Sequence, residues 1–149
     1  MSETKKIFFY KIKDQYGEFS NFSNHPIILK GKAWATTEAY FQAQKYAGTE
    51  HEEAVRLTAG PRAAAVMGRD RSLPLRKDWE SVKESIMKEA LLAKIDQYPK
   101  IKDLLISTGD AEIVEHTEND NYWADGGDGS GKNRLGVIWM MIREELKKQ

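Results

Sequence analysis

W-A-T-T-E-A-Y-F-Q-A-Q-K-Y, residues Trp34–Tyr46, is where the chain changes period. Before it, K-I-F-F-Y-K-I at Lys6–Ile12 is rich in β-formers, with a broken alternation. P-I-I-L-K-G-K-A-W reads as a hairpin: Ile27–Leu29, a turn at Lys30–Gly31 and a return strand to Trp34. From Thr36 or Thr37, whose hydroxyl can cap free backbone N–H groups, the pattern is helical. At ~3.6 residues per turn, Glu38, Gln42 and Lys45 share one stripe bordered by Phe41. Tyr40, Ala43 and Ala47 face nearly the other way and supply core contacts. Ordinary helix design accounts for a glutamate in the first turn and a lysine in the last, where the dipole favours each. The functional alternative is a Glu38 facing an aromatic-walled cleft, partly desolvated and able to act as a general base or acid.

Beyond this stretch the helical period continues. T-E-H-E-E-A-V-R-L-T-A-G carries a capping box in Thr49 and Glu52 and a stop at Gly60. Pro61 opens P-R-A-A-A-V-M-G, and R-D-R-S-L-P-L-R-K-D is a charged loop. Asp78 caps the longest helix, W-E-S-V-K-E-S-I-M-K-E-A-L-L-A-K-I-D-Q-Y, in which Trp79, Val82, Ile86, Ala90 and Ala93 share a face widened by Met87 and Leu91. A short helix begins near Pro99, and A-E-I-V-E-H reads as a strand. A polar, glycine-rich loop then leads to a last helix striped with Leu135, Ile138, Trp139, Ile142 and Leu146. The expectation is one α+β domain over residues 1–149. It is mostly helical, packed around a small sheet made from the N-terminal third plus Ile113–Val114.

Composition bounds the function classes. Lysine plus arginine and aspartate plus glutamate balance at 23 each, so no global charge draws the chain to nucleic acid or membrane. With no cysteine, disulfides, thiolate nucleophiles and cysteine-based zinc sites are excluded. His25, His51 and His116 lack metal spacing, so no metal is expected. The first residues, from Met1 through Phe19, lack the apolar run of a signal peptide, and no window is long enough to cross a bilayer. These readings point to a cytoplasmic protein without a membrane partner.

Three further stretches carry chemistry. T-E-N-D-N-Y-W-A-D-G-G-D-G-S-G-K-N-R-L-G, Thr117–Gly136, is neither a P-loop nor an EF-hand, since Lys132 is followed by Asn133 and the carboxylate spacing is wrong. Its glycines, Gly126 among them, can bring backbone N–H groups together as an anion nest, while Asp120, Trp123, Asp125 and Asn133 offer polar groups and a stacking surface. The opposing reading is a solvent-exposed loop. Arg69, Arg71 and Arg76 match phosphate oxygens, or else form exposed salt bridges with Asp70 and Asp78. In Y-G-E-F-S-N-F, Asn21 beside Phe22 either hydrogen-bonds a ribose or base edge or holds a turn.

The blocks Y-G-E-F-S-N-F, W-A-T-T-E-A-Y-F-Q-A-Q-K, M-G-R-D-R-S and E-H-T-E-N-D-N-Y-W-A-D-G-G-D-G-S-G-K-N-R-L-G, in this order, resemble the NADAR family of YbiA-like proteins from Phe9 to about Leu146. The resemblance implies a mostly helical fold with a small sheet. It also implies N-glycosidase chemistry on phosphoribosylated pyrimidine intermediates of riboflavin biosynthesis, releasing ribose 5-phosphate without a cofactor. Similar family members remove ADP-ribose from guanine in nucleic acid, which would make nucleic acid a partner. A non-catalytic ADP-ribose or nucleotide sensor is the third class. The implied active-site positions are Glu38 and Trp79, with Asn21, Lys45, Asp120, Trp123 and Asn133 as pocket company. Oligomeric state is not legible from the sequence.

Overall fold

The computed structural model describes residues 5–149. Met1–Thr4, part of the stretch read above for a leader, lie outside the described residues. The chain is α+β and mostly helical. Backbone contacts divide it into two units, one built from both chain ends (residues up to Ser20 together with Tyr98–Gln149) and one from Asn21–Gln97.

In the unit built from the two ends, β1 (Lys6–Phe9) pairs in parallel with β2 (Glu112–Glu115), with Lys6 opposite Glu112 and Phe9 opposite Glu115. The broken alternation of the first strand resolves into Ile7 and Phe9 inward and Lys6 and Phe8 outward. Helices α1 (Pro99–Ser107) and α2 (Arg134–Lys147) complete it, and α2 packs on β2. The expected stripe on α2 is buried through Leu135, Ile138, Trp139 and Ile142. Trp139 meets Phe19 at 5.1 Å between ring centroids and donates its indole N–H to the Phe19 carbonyl at 3.0 Å. Gly136 is what lets α2 approach β2, because a Cβ there would lie 2.0 Å from the Ile113 carbonyl oxygen.

The other unit contains the hairpin of β3 (Ile27–Leu29) and β4 (Lys32–Trp34), antiparallel and turned at Lys30 and Gly31, both with positive φ. Four helices follow: α3 (Thr37–Gln44), α4 (Glu50–Arg56), α5 (Pro61–Gly68) and α6 (Trp79–Gln97). Helix α3 packs against α4, α5 and α6 and is buried along its whole length. Thr36 is its cap, accepting the Ala39 N–H at 3.1 Å. Trp34, Tyr40 and Tyr46 are fully buried around it.

Three local expectations are corrected. The strands form two separate two-stranded sheets rather than one, because the first strand pairs with residues more than a hundred positions away and the hairpin pairs with itself. The Thr49–Glu52 capping box does not close: Thr49 accepts the His51 N–H, but Glu52 reaches one residue further back, to the Gly48 N–H at 3.0 Å, while its other oxygen takes Gln44. Asp78 precedes α6, but its carboxylate is occupied by the Arg76 guanidinium at 2.6 and 3.0 Å. Among the described residues, no helix is long and apolar enough to cross a membrane.

Candidate functional site

Glu38 sits in the first turn of α3, two residues past the Thr36 cap, so the free N–H groups and the helix dipole favour its carboxylate. Asn21 sets the entry to that turn. Its carbonyl accepts the Glu38 N–H at 3.2 Å, and its side-chain oxygen accepts the Thr37 hydroxyl at 2.7 Å. The Asn21 NH2 group points to the Met87 sulfur at 3.4 Å. Asn21 thus holds the turn that leads into the helix.

One helical turn on, Gln42 donates its NH2 to a Glu38 carboxylate oxygen at 2.8 Å. Glu38 and Gln42 are each only 8% exposed, so the carboxylate is largely withdrawn from water. Lys45 ends the stripe, buried, donating from Nζ to the Gly68 carbonyl at 2.9 Å and lying 5.7 Å from the centre of the Trp79 ring. Burial and then the positive charge of Arg71 pull its pKa down to about 8, with Arg69 adding to the fall and Glu38 opposing it. Phe41 packs on Trp79 at 5.0 Å between centroids, so two rings wall this acid–amide–ammonium line. The stripe read from the helical period is thus a desolvated polar track beside aromatic walls. Such a track can stabilise developing positive charge with its acid and deliver a proton with its ammonium.

The three arginines part company. Arg69 and Arg71 are exposed, and both act on the charge of Lys45. Arg76 is committed: its guanidinium grips Asp78 and its N–H binds the Lys45 carbonyl at 2.9 Å, fastening the charged loop to the end of α3. Phe22 is 38% exposed next to Asn21.

The remaining predicted residues lie in the unit made from the chain ends. Asp120 accepts the N–H groups of Tyr122 and Trp123, each at 2.8 Å, and lines an open cleft of about 380 Å3 with Asn119, Asn121 and Ser130. Trp123 is half-buried against Tyr122, and its carbonyl accepts the Leu135 N–H. Asp125 is buried. One oxygen accepts Thr117 and Gly127 N–H groups at 3.1 and 2.9 Å, and the other takes the His116 Nδ1 at 2.7 Å. Burial alone would raise its pKa, but these partners outweigh burial and hold the carboxyl below its ordinary value. Asn133, in the left-handed region at φ 52°, donates to the Ile113 carbonyl and accepts the Glu115 N–H, tying α2 to β2.

The anion nest expected of the glycine loop is not formed. The N–H groups of Gly126, Gly127, Gly129, Ser130 and Gly131 are already donated to Asp120, Asp125 or Asp128. Glycine freedom folds the loop back onto its own backbone carbonyls and carboxylates, so these N–H groups are not left to converge on a phosphate. Sequence reasoning also missed Gly68 and Thr37. Thr37 follows a cap and reads as a second capping hydroxyl, and Gly68 reads only as the end of a helix. Their partners, Asn21 and Lys45, are distant in sequence and leave no local signal.

A model of the NADAR domain matches residues 8–147. The N-glycosidase YbiA of Escherichia coli (strain K12) is 55% identical over 140 residues, covering 94% of this chain and 88% of that protein. N-glycosidase Npun_R5314 of Nostoc punctiforme is 42% identical over 144 residues, covering 95% and 92%. The riboflavin biosynthesis protein PYRR, chloroplastic, of Zea mays is 37% identical over 97% of this chain, which spans 26% of that longer protein. The NMR structure of E. coli YbiA superposes with a TM-score of 0.90 at 52% identity, covering 99% of this chain and 88% of that one. The desolvated acid–lysine helix thus stands in the YbiA fold, and the chain belongs to the NADAR family, a hydrolase of its YbiA-like N-glycosidase branch.

Proposed function

We propose that the protein hydrolyses the N-glycosidic bond of phosphoribosylated aminopyrimidine intermediates of riboflavin biosynthesis, releasing ribose 5-phosphate and the free base. The observation that carries this reading is the Glu38 carboxylate, 8% exposed and held by Gln42 in the same buried line as Lys45. As the bond from C1 to nitrogen lengthens, positive charge grows on C1 and the ring oxygen. A carboxylate beside that carbon stabilises the charge and takes a proton from the attacking water. The water oxygen bonds to C1, the C1–N electron pair leaves with the base, and Lys45 supplies the proton the departing nitrogen needs. Trp79 and Phe41 exclude bulk water. Arg69 and Arg71 bind the 5-phosphate, since both flank Lys45 and neither is committed as Arg76 is. Asn21, Asp120, Asp125 and Asn133 serve through the backbone they hold.

The substrate class draws on relatives named riboflavin biosynthesis proteins, in Zea mays and Vibrio vulnificus, within which a segment like this chain is joined to further sequence. A domain carried by such a protein is placed to meet its intermediates. The exposed Arg69–Arg71 pair also suits a second reading, removal of ADP-ribose from guanine in nucleic acid, because it offers a basic edge to a phosphate backbone. Incubating the protein with a phosphoribosylaminopyrimidine and assaying ribose 5-phosphate tests the first reading. ADP-ribosylated DNA in a parallel assay tests the second. Glu38→Gln should keep the fold and lose most turnover. Near-normal hydrolysis by that variant would remove Glu38 from the mechanism, and no release from either substrate would leave a nucleotide-binding protein.

A further inference from the structure

Gln42 has an unusual arrangement for a buried amide. Its NH2 group faces the Glu38 carboxylate at 2.8 Å, yet its Oε1 is buried without a hydrogen-bond partner. The reverse orientation would set two oxygens face to face, so a charged Glu38 fixes the amide with its oxygen turned away. The oxygen lies instead against the α-carbon of Gly68: a Cβ at that position would stand 1.8 Å from Gln42 Oε1 and 2.5 Å from its Cδ. No side chain larger than hydrogen fits there without moving the amide. The backbone φ of Gly68 is not positive, so its conformation does not require glycine. Space does. The same residue offers its carbonyl to the Lys45 ammonium at 2.9 Å. The last residue of α5 therefore touches two of the three members of the polar line on α3, one through its missing side chain and one through its backbone.

We infer that Gln42, seated on the bare α-carbon of Gly68, is a positioning residue that locks the Glu38 carboxylate in one ionised, aimed rotamer, and that Gly68 registers this acid with Lys45. On this account Gln42 acts on the acid rather than on substrate. The inference deepens the hydrolase mechanism above and rests on Glu38 being its acid. An added methyl at Gly68 pushes the amide off its seat, frees the carboxylate to rotate and shifts the carbonyl that holds Lys45. Substrate binding through Arg69 and Arg71 is left in place, so the damage falls on kcat rather than KM.

The experiment is a mutant cycle of Gly68→Ala, Gln42→Ala and the double variant, with Gln42→Met and Glu38→Gln alongside, in the ribose 5-phosphate release assay. Each single variant of the cycle should lose on the order of 10²-fold in kcat, the scale of a misplaced catalytic group, with KM little changed. The double variant should be no worse than Gln42→Ala, because removing the amide makes room for the methyl. In Gln42→Met, which keeps the shape and deletes the donor, the acidic limb of the pH–rate profile should move up by about one pH unit. If Glu38→Gln is inactive while folded Gly68→Ala and Gln42→Ala keep near-normal kcat, the clamp is wrong and the mechanism stands. Losses that multiply in the double variant also overturn it. If Glu38→Gln remains active, the underlying mechanism itself has failed. Should Gly68→Ala not fold, the pH shift in Gln42→Met decides alone: a limb that stays in place refutes the clamp.

Discussion

Lys45 carries a charge that its burial opposes. Its pKa is drawn from the ordinary 10.5 down to about 8, first by burial and then by Arg71. As proton donor it should make kcat/KM fall as pH rises through about 8, and Lys45→Met should abolish that limb along with a 10²-fold or larger share of turnover. Stability should move the opposite way. The folded pKa lies below the unfolded one, so between about 8 and 10.5 the unfolded chain binds more protons, and raising pH through that window stabilises the fold. Urea unfolding at pH ~7 and ~10 should show this gain in the native protein and lose it in Lys45→Met. Asp125 gives the acidic counterpart. Its depressed pKa stabilises the fold above the unfolded carboxyl value of ~3.9, and that contribution disappears as pH falls through the folded value. Asp125→Asn should cost roughly 1–3 kcal/mol at neutral pH and flatten the acid side of the melting-temperature profile.

Among the elements, α3 shows what can and cannot be read from a sequence. The 3.6-residue period placed Glu38, Gln42 and Lys45 together, and the structure keeps them so, because that geometry is local to one helix. The neighbours that give the stripe its chemistry come from α5 and the start of α6, through Gly68 and Trp79, and no local pattern announces them. The hairpin at Lys30–Gly31 was legible for the same local reason. The glycine loop was misread as a nest because glycine content reports backbone freedom but not which acceptors already hold the N–H groups. Two element-scale variants follow. Thr36→Ala removes the cap of α3 and should cost about 1 kcal/mol while lowering turnover, since Glu38 lies in the turn it fixes. Gly136→Ala puts a methyl into the Ile113 carbonyl and should destabilise the α2–β2 contact by roughly 1–3 kcal/mol, read as a lower melting temperature with little change in KM.

For the whole molecule, the decisive pairing is also the least legible. β1 and β2 run parallel, and their partners Lys6 and Glu112 stand more than a hundred positions apart in the sequence. Alternation cannot announce a parallel partner so far away, whereas helix periods and tight turns carry their own signal. A chain truncated before Tyr10 should leave β2 with an unpaired edge and strip Phe9 from beneath Phe19, so it should express in aggregated form. Because one unit is assembled from the two termini and the other from the uninterrupted stretch between them, the order of synthesis differs for the two. A ribosome finishes Asn21–Gln97, with its acid, amide and lysine, while the first strand still has nothing to pair with. That strand, Ile7 and Phe9 included, stays a sticky nascent edge until residue 115 emerges, so a chaperone that shields this strand would act at the moment the fold is most exposed to misassembly.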